Sequence, residues 1–193
     1  MDQIERTTSI LRSGGVAIFP TDTAFGIGCR VDDANAVQRI FAIKKRSLNK
    51  PTPILVSGIT MAEQWVDHVS EDVTELMNKY WPGGLTIILQ TSNKSISPMV
   101  TAGTGTVGLR VPDNEDLRKI IDAVGVPIIG SSANFEGQPT PYAVEDLDKK
   151  LTRLVDVVLD GKCTVKKAST VVDCTKVPFI VIREGAVDLA DSR

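Results

Sequence analysis

The sequence predicts an α/β fold: one domain, 1–193, with a twisted mixed sheet, largely parallel, flanked by helices. Three observations carry that expectation. Short apolar runs of strand length alternate with amphipathic stretches throughout the 193 residues. Glycine, proline and aspartate stand at the junctions between them. No internal repeat, low-complexity tract or interdomain linker interrupts the series.

In chain order, residues 2–13 form an amphipathic helix with Ile4, Thr8 and Leu11 on one side, ended by Gly14-Gly15. The run 16–19 is a strand stopped by Pro20. Asp32 or Asp33 caps a helix to about residue 43, whose apolar face is Ala36, Val37, Ile40 and Phe41. A basic loop occupies 44–50, and 53–56 is a buried strand. Helices follow over 60–66 and 70–80. Trp81-Pro82-Gly83-Gly84 is a break before the strand Leu85–Gln90. Residues 91–105, rich in Ser, Thr and Gly, form a long loop, and such loops are often functional. Alternation over 107–111 is that of a strand and sets Arg110 opposite Val111. Asp113 or Asn114 caps a helix over 115–124, 126–129 is a strand, and a helical region covers about 143–154. Strands fit 155–159, 170–173 and 179–182. The tail 188–193 is expected to fray.

Hydrophobic content of 42% and charged content of 24% are those of an ordinary globular protein. A net charge of -2 gives no global drive toward nucleic acid, so anion binding must come from local clustering of positive charge. Cys29, Cys163 and Cys174 are odd in number and form no Cys-x-x-Cys, which speaks against a disulfide framework or zinc site and for a reducing cytoplasm. The polar N-terminus is not that of a signal peptide, and no apolar stretch approaches a membrane span.

Two segments far apart in the chain carry the chemistry. Lys44-Lys45-Arg46 is Lys-x-Arg on a basic loop continuing to Lys50; Ser132-Ala133-Asn134 is Ser-x-Asn in a small-residue turn after an apolar strand. Arginine and lysine neutralise phosphate charge, and the arginine fork can do so with two parallel bonds. Brought together, the segments make an anion pocket suited to a nucleotide triphosphate. Arg110 in a strand with Thr106 four residues earlier, Lys166-Lys167-Ala168-Ser169-Thr170 entering a strand, and Arg183 leaving one favour a cleft over a solvated face. Thr23, within Pro20-Thr21-Asp22-Thr23, sits just after a strand, where α/β proteins commonly bind ligands.

Other patterns fail on context. Gly103-Thr104-Gly105-Thr106-Val107-Gly108 matches the dinucleotide fingerprint, but a polar loop precedes it and a strand follows, so it is better taken as a loop that closes over a ligand. There is no Walker A sequence. The one histidine, His68, is expected in a helix and offers no Ser-His pair. No acidic or histidine spacing suits a metal site.

Seven segments in order resemble the YrdC family, the threonylcarbamoyl-AMP synthases, over roughly 8–187. They are Pro20-Thr21-Asp22-Thr23, Lys44-Lys45-Arg46, Trp81-Pro82-Gly83-Gly84-Leu85-Thr86, Val107-Gly108-Leu109-Arg110-Val111-Pro112, Ser132-Ala133-Asn134 with Gly137-Gln138-Pro139-Thr140, Ser169-Thr170-Val171-Val172-Asp173, and Ile182-Arg183-Glu184-Gly185-Ala186. The resemblance implies an enzyme, a nucleotidyltransferase making threonylcarbamoyl-AMP and pyrophosphate from L-threonine, bicarbonate or CO2, and ATP as substrate, with Mg2+ held by the nucleotide and water. Partner proteins then transfer the threonylcarbamoyl group to an adenosine beside the anticodon of tRNA. It implies that Thr23, Arg110, Gly130 and Ser169 hold threonine, and that Arg46, Lys50, Thr106, Ser132, Thr140 and Arg183 hold ATP. Lys44, Arg46, Ser132 and Asn134 form the catalytic pattern, with Lys44 helping at the triphosphate. The chain departs from the pattern at Ala168, where many members have glutamate, and at Ser57, near a common histidine. Ending soon after Arg183, it resembles the short, single-domain members.

Two rival readings stand beside this one. The same basic groove could hold double-stranded RNA or tRNA by phosphate contacts without catalysis, with steep salt dependence as its signature. Related domains also occur inside hydrogenase-maturation carbamoyltransferases, but nothing here resembles the segments that accompany them.

Overall fold

A computed structural model describes residues 2–189. Helix α1 (Gln3–Arg12) starts at a capping box: the Asp2 carboxylate accepts the Glu5 N–H at 2.8 Å, and the Glu5 carboxylate accepts the Asp2 N–H at 3.2 Å. Strand β1 (Ala17–Pro20) turns tightly into β2 (Phe25–Gly28). Asp33, rather than Asp32, caps α2 (Ala34–Lys44), accepting the Asn35 and Ala36 N–H groups at 3.0 Å. Then follow β3 (Ile54–Leu55), α3 (Ile59–Glu63), α4 (Glu71–Tyr80, capped by Ser70), β4 (Leu85–Gln90), α5 (Pro98–Thr101) and β5 (Thr106–Arg110). Asn114, rather than Asp113, caps α6 (Glu115–Val124), and Gly125 ends it in the left-handed region that side chains resist. Strands β6 (Ile128–Ile129) and β7 (Ser131–Ser132), helix α7 (Lys149–Thr152) and strands β8 (Val157–Val158), β9 (Thr170–Asp173) and β10 (Ile180–Arg183) complete the described chain.

The strands make two mixed sheets, in the orders β7-β2-β1-β8 and β10-β9-β4-β5-β3-β6. Parallel pairing is confined to β1–β8, β3–β5 and β4–β9, and the other five pairs are antiparallel. The expected bias toward parallel pairing is therefore corrected. Two of those five involve β2 and β7, strands the sequence reading missed, and β3–β6, β4–β5 and β9–β10 supply the other three. Phe25-Gly26-Ile27-Gly28 lacks a strand's usual β-branched content because neighbours fill the space. A Cβ on Gly28 would sit 2.1 Å from the Ile129 carbonyl oxygen, and one on Gly26 would sit 2.7 Å from the Phe19 ring.

The sheets meet where the Ile129 N–H donates to the Cys29 carbonyl at 2.9 Å and the Val31 N–H to Pro127 at 3.1 Å. Gly130 alone separates β6 from β7, so the chain crosses from one sheet to the other at that residue. Val16, Ile18, Phe25, Ile27, Ile87 and Leu109 lie in a core shared by both sheets, while the apolar stripe of α6 packs with Leu11 and Phe19 in a second cluster. The three cysteines are unpaired, and burial is the first cause raising each thiol.

Other boundaries moved for local reasons. The loop 91–105 contains α5, nucleated by Ser97 and Pro98. The helical region at 143–154 is broken: a 3-10 turn (Val144–Asp146) is separated from α7 by Leu147, which stays extended while it buries its side chain, and by the capping Asp148. His68 is exposed in the connection between α3 and α4, not in a helix. Of the expected tail, 190–193 lie outside the described residues.

Candidate active site

Strand ends converge where the two sheets meet. The register of β3, β5, β4 and β9 sets Leu55 beside Arg110 and Leu85 beside Thr170, and β10 runs antiparallel to β9 and ends at Arg183. A hollow of about 790 Å3, counting its open mouth, lies at this edge. Thr23, Arg46, Arg110, Gly130, Ser132, Thr140, Ser169 and Arg183 all line it, together with Thr21, Thr52, Thr86 and Ala168. Among the described residues, none of those lining it is aspartate or glutamate.

On one wall the Arg110 guanidinium is held at each nitrogen. Nε donates to the Gly83 carbonyl at 2.9 Å, Nη1 to Thr23 Oγ1 at 2.6 Å, and Nη2 to the Asp22 carboxylate. Burial pulls the arginine below its ordinary value and Asp22 opposes that. Thr23 also contacts Thr21 Oγ1 at 3.0 Å. Accepting from Arg110 leaves the Thr23 proton for Thr21 or for a ligand. Arg183, also lining the hollow, donates through Nε and Nη2 to the Ser169 carbonyl (3.0 and 2.8 Å) and through Nη2 to Ser169 Oγ at 3.0 Å. Thr86 Oγ1 and Ser169 Oγ share a buried bond of 2.9 Å. Arg46 donates through Nη2 to the Pro51 carbonyl at 2.7 Å, which fixes the basic loop at the cavity mouth. Burial lowers both Arg46 and Arg183. Three guanidiniums around one hollow, with hydroxyls and no carboxylate, make a site for an anion.

Gly130 is needed at the crossing because a Cβ there would lie 2.6 Å from Leu55 Cγ. Its N–H donates to the Pro53 carbonyl at 2.9 Å.

Four expected site residues are placed otherwise. The Lys44 ammonium, 2% exposed, donates to the Ser132 carbonyl, the Asn134 carbonyl at 2.7 Å and Asn134 Oδ1 at 3.4 Å. Its three protons are thus committed, and the expectation that it reaches a triphosphate is corrected. Asn134 also turns away from the hollow: Oδ1 accepts from Ser132 Oγ at 2.6 Å and Nδ2 donates to the Gln138 carbonyl at 2.5 Å. Lys-x-Arg and Ser-x-Asn do meet, but Lys44 and Asn134 brace the turn while Arg46 and Ser132 face the cavity. Lys50 pairs with Glu136 outside the lining set. Thr106 also stays outside it, its hydroxyl 2.9 Å from that of Thr104. Ser57 is remote, donating to Asp122 Oδ1 at 3.3 Å.

Sequence reasoning named no role for Asp22, Thr52 or Thr86. Asp22 lies between two threonines, Thr52 between two prolines and Thr86 near the start of a strand, so no local pattern set them apart. Among the described residues no group of three His, Cys, Asp or Glu could hold a metal ion, and no helix is long and apolar enough to cross a membrane.

The Sua5/YciO/YrdC family model, described as telomere recombination, matches residues 9–185. The chain is 33% identical over 189 residues to a Bacillus subtilis protein named threonylcarbamoyl-AMP synthase, covering 96% of this chain and 54% of that one. It superposes on Pyrococcus abyssi Sua5 complexed with L-threonine with a TM-score of 0.90 at 30% identity, covering 97% of this chain and 55% of that one. On Escherichia coli YciO the TM-score is 0.86 at 28% identity, covering 97% and 91%. The chain thus spans about half the length of the first two relatives.

Proposed function

The chain belongs to the Sua5/YciO/YrdC family, and we propose that its cavity is the active site of a cytoplasmic L-threonylcarbamoyladenylate synthase formed by residues 1–193 as one unit. The observation that carries this reading is the set of three arginines and several hydroxyls around one hollow, with no carboxylate among its described lining residues. Threonine lies against Arg110, Thr23, Ser169 and the Gly130 backbone, its carboxylate on the free N–H bonds of Arg110. ATP lies against Arg46, Ser132, Thr140 and Arg183.

The deprotonated amine of threonine adds to CO2, forming an N–C bond and releasing a proton to water. The resulting N-carboxylate oxygen attacks the α-phosphorus, the P–O bond to the β-phosphate breaks, and pyrophosphate leaves with that electron pair. Arg46 and Arg183 stabilise the charge that builds on the phosphoryl oxygens and on pyrophosphate. The absence of a carboxylate in the lining disfavours an ammonium there and favours the neutral amine the first step needs. Lys50 joins at the phosphates only by exchanging Glu136 for them. The lining does not fit a protein-held magnesium ion, so Mg2+ would enter on the nucleotide. The product serves transfer proteins that modify tRNA.

The reading is tested by assaying pyrophosphate with ATP, threonine and bicarbonate, each omitted in turn. Release that needs all three is the expected result; release without threonine, or tRNA binding with no release at all, overturns it. The hydroxyl-rich hollow with its cations gathered at one place is less suited to an RNA backbone, which needs an extended track of cations.

A further inference from the structure

We propose that Asp22, which does not line the cavity, is the positioning residue through which Arg110 recognises the substrate carboxylate. This rests on the threonine reading of the site.

Asp22 lies in the turn between β1 and β2, behind Arg110 as seen from the hollow. The two side chains are 2% and 8% exposed. Asp22 is itself held from two directions. Its Oδ1 accepts the Asp113 N–H at 3.0 Å, and its backbone carbonyl accepts the Val165 N–H at 2.8 Å. The carboxylate is thus a fixed anchor, and it grips Nη2 while Thr23 takes Nη1 and Gly83 takes Nε.

A guanidinium is planar, so three bonds at three nitrogens fix both its place and the tilt of its plane. Three of its five N–H bonds are used in this way, and one on each terminal nitrogen remains for a ligand. A carboxylate is recognised well only by a fork at a set angle. Thr23 and Gly83 are neutral acceptors and could hold the ring of bonds but not the charge. Among the described residues Asp22 is the one carboxylate bonded to Arg110, and the nearby Arg183 repels that arginine. Without Asp22, the arginine has reason to turn its charge toward solvent at the cavity mouth. Asp22 Oδ2 is buried with no hydrogen-bond partner among the described residues, so Oδ1 alone carries the carboxylate's bonds, to Arg110 and to the Asp113 N–H.

The test compares binding of L-threonine with that of L-threoninol, which keeps the side chain and amine but has CH2OH for the carboxylate, by calorimetry. Wild type is expected to prefer threonine. Asp22→Asn should lower threonine affinity about 10- to 100-fold, the span of a charge-assisted bond. Threoninol and ATP affinities should hold within about two-fold. In an Arg110→Gln background the Asp22→Asn change should cost threonine nothing further, because Asp22 acts through Arg110. If Asp22→Asn does not melt cooperatively, Asp22→Glu, which keeps the charge but shifts it by a methylene, should show the same loss of preference. Equal losses for threonine, threoninol and ATP, or an Asp22→Asn effect that persists in full without Arg110, overturns the assignment. A wild-type protein that binds no threonine overturns the underlying reading instead, and is told apart by that.

Discussion

Lys44 and Asn134, ninety residues apart, are joined by two hydrogen bonds, from Nζ to the Asn134 carbonyl at 2.7 Å and to its Oδ1 at 3.4 Å. With a third bond to the Ser132 carbonyl, the ammonium serves as a rivet under the turn that presents Ser132 to the cavity. Lys44→Met keeps most of the side-chain volume and strips the donor from two backbone carbonyls. Each unpaired buried polar group costs about 1–3 kcal/mol, so a total loss of roughly 2–6 kcal/mol is expected in a denaturant melt. ATP affinity should fall in the same variant although Lys44 lies outside the cavity lining. A melt unchanged from wild type would show that the turn stands without its rivet.

The same residue sets a pH dependence. Burial first, then the charge of Arg46, pull the Lys44 ammonium from 10.5 to about 8, with Glu136 opposing. Below about 8 the group is charged in the folded and unfolded chain alike. Between there and 10.5 only the unfolded chain holds the proton, so on this group's account stability rises with pH. ATP affinity is expected to move the other way, since the neutral amine has two protons for three acceptors. Calorimetry from about pH 7 to 10 should show affinity falling near 8, and Lys44→Arg, which stays charged, should flatten the curve. A fall of equal depth in that variant assigns the titration elsewhere.

Arg46 faces the cavity while bonding only to backbone of its own loop, the Pro51 carbonyl at 2.7 Å among them. Arg46→Ala should therefore fold normally and lose about 100- to 1,000-fold in turnover, the scale for removing one preorganised charge donor. Near-normal turnover would take Arg46 out of the chemistry.

Much of this site was legible in the sequence where a residue's role follows from its own type. Arg46, Arg110 and Arg183 stand at strand or helix ends with hydroxyls nearby, and they converge on one hollow. Lys44 was misread because a lysine in a basic loop looks like a phosphate ligand, and only the long-range approach of the Ser132 turn shows its protons to be taken. Asp22 was passed over because its partner lies 88 positions away. Strand β2 was hidden because its glycines answer to the Phe19 ring and the Ile129 carbonyl, which are contacts of the finished fold. Helix α2, by contrast, announced itself through a cap and a period that are both local.

Gly130→Ala tests the crossing between the sheets. The new Cβ would lie 2.6 Å from Leu55 Cγ and 2.8 Å from its Cδ2. Overpacking of this kind costs about 1–3 kcal/mol. The clash also pushes on the Gly130 backbone, which lines the hollow, so threonine affinity should drop with stability. Leu55→Ala alone leaves a hole, but in the double variant the smaller side chain makes room for the methyl, and part of both losses should return. Losses that simply add would place the strain elsewhere.

Thr86→Val replaces a buried hydroxyl with a methyl at nearly constant volume. The lost bond is the 2.9 Å contact with Ser169 Oγ. Ser169 keeps its bond from Arg183, at 3.0 Å, so its rotamer survives but its proton is no longer steered. If Thr86 donates to Ser169, the Ser169 proton is what remains for the substrate hydroxyl or amine, and removing the donor lets that proton wander. A neutral bond of this kind is worth about 0.5–1.5 kcal/mol, so the threonine KM should rise roughly two- to ten-fold. The ATP KM should stay close to wild type, because Arg183 still bonds the Ser169 carbonyl at 2.8 and 3.0 Å. Thr86→Ser, which restores the oxygen, should recover the threonine KM. A rise that Thr86→Ser fails to reverse would trace the effect to packing of the methyl group against Gly108 rather than to the hydroxyl.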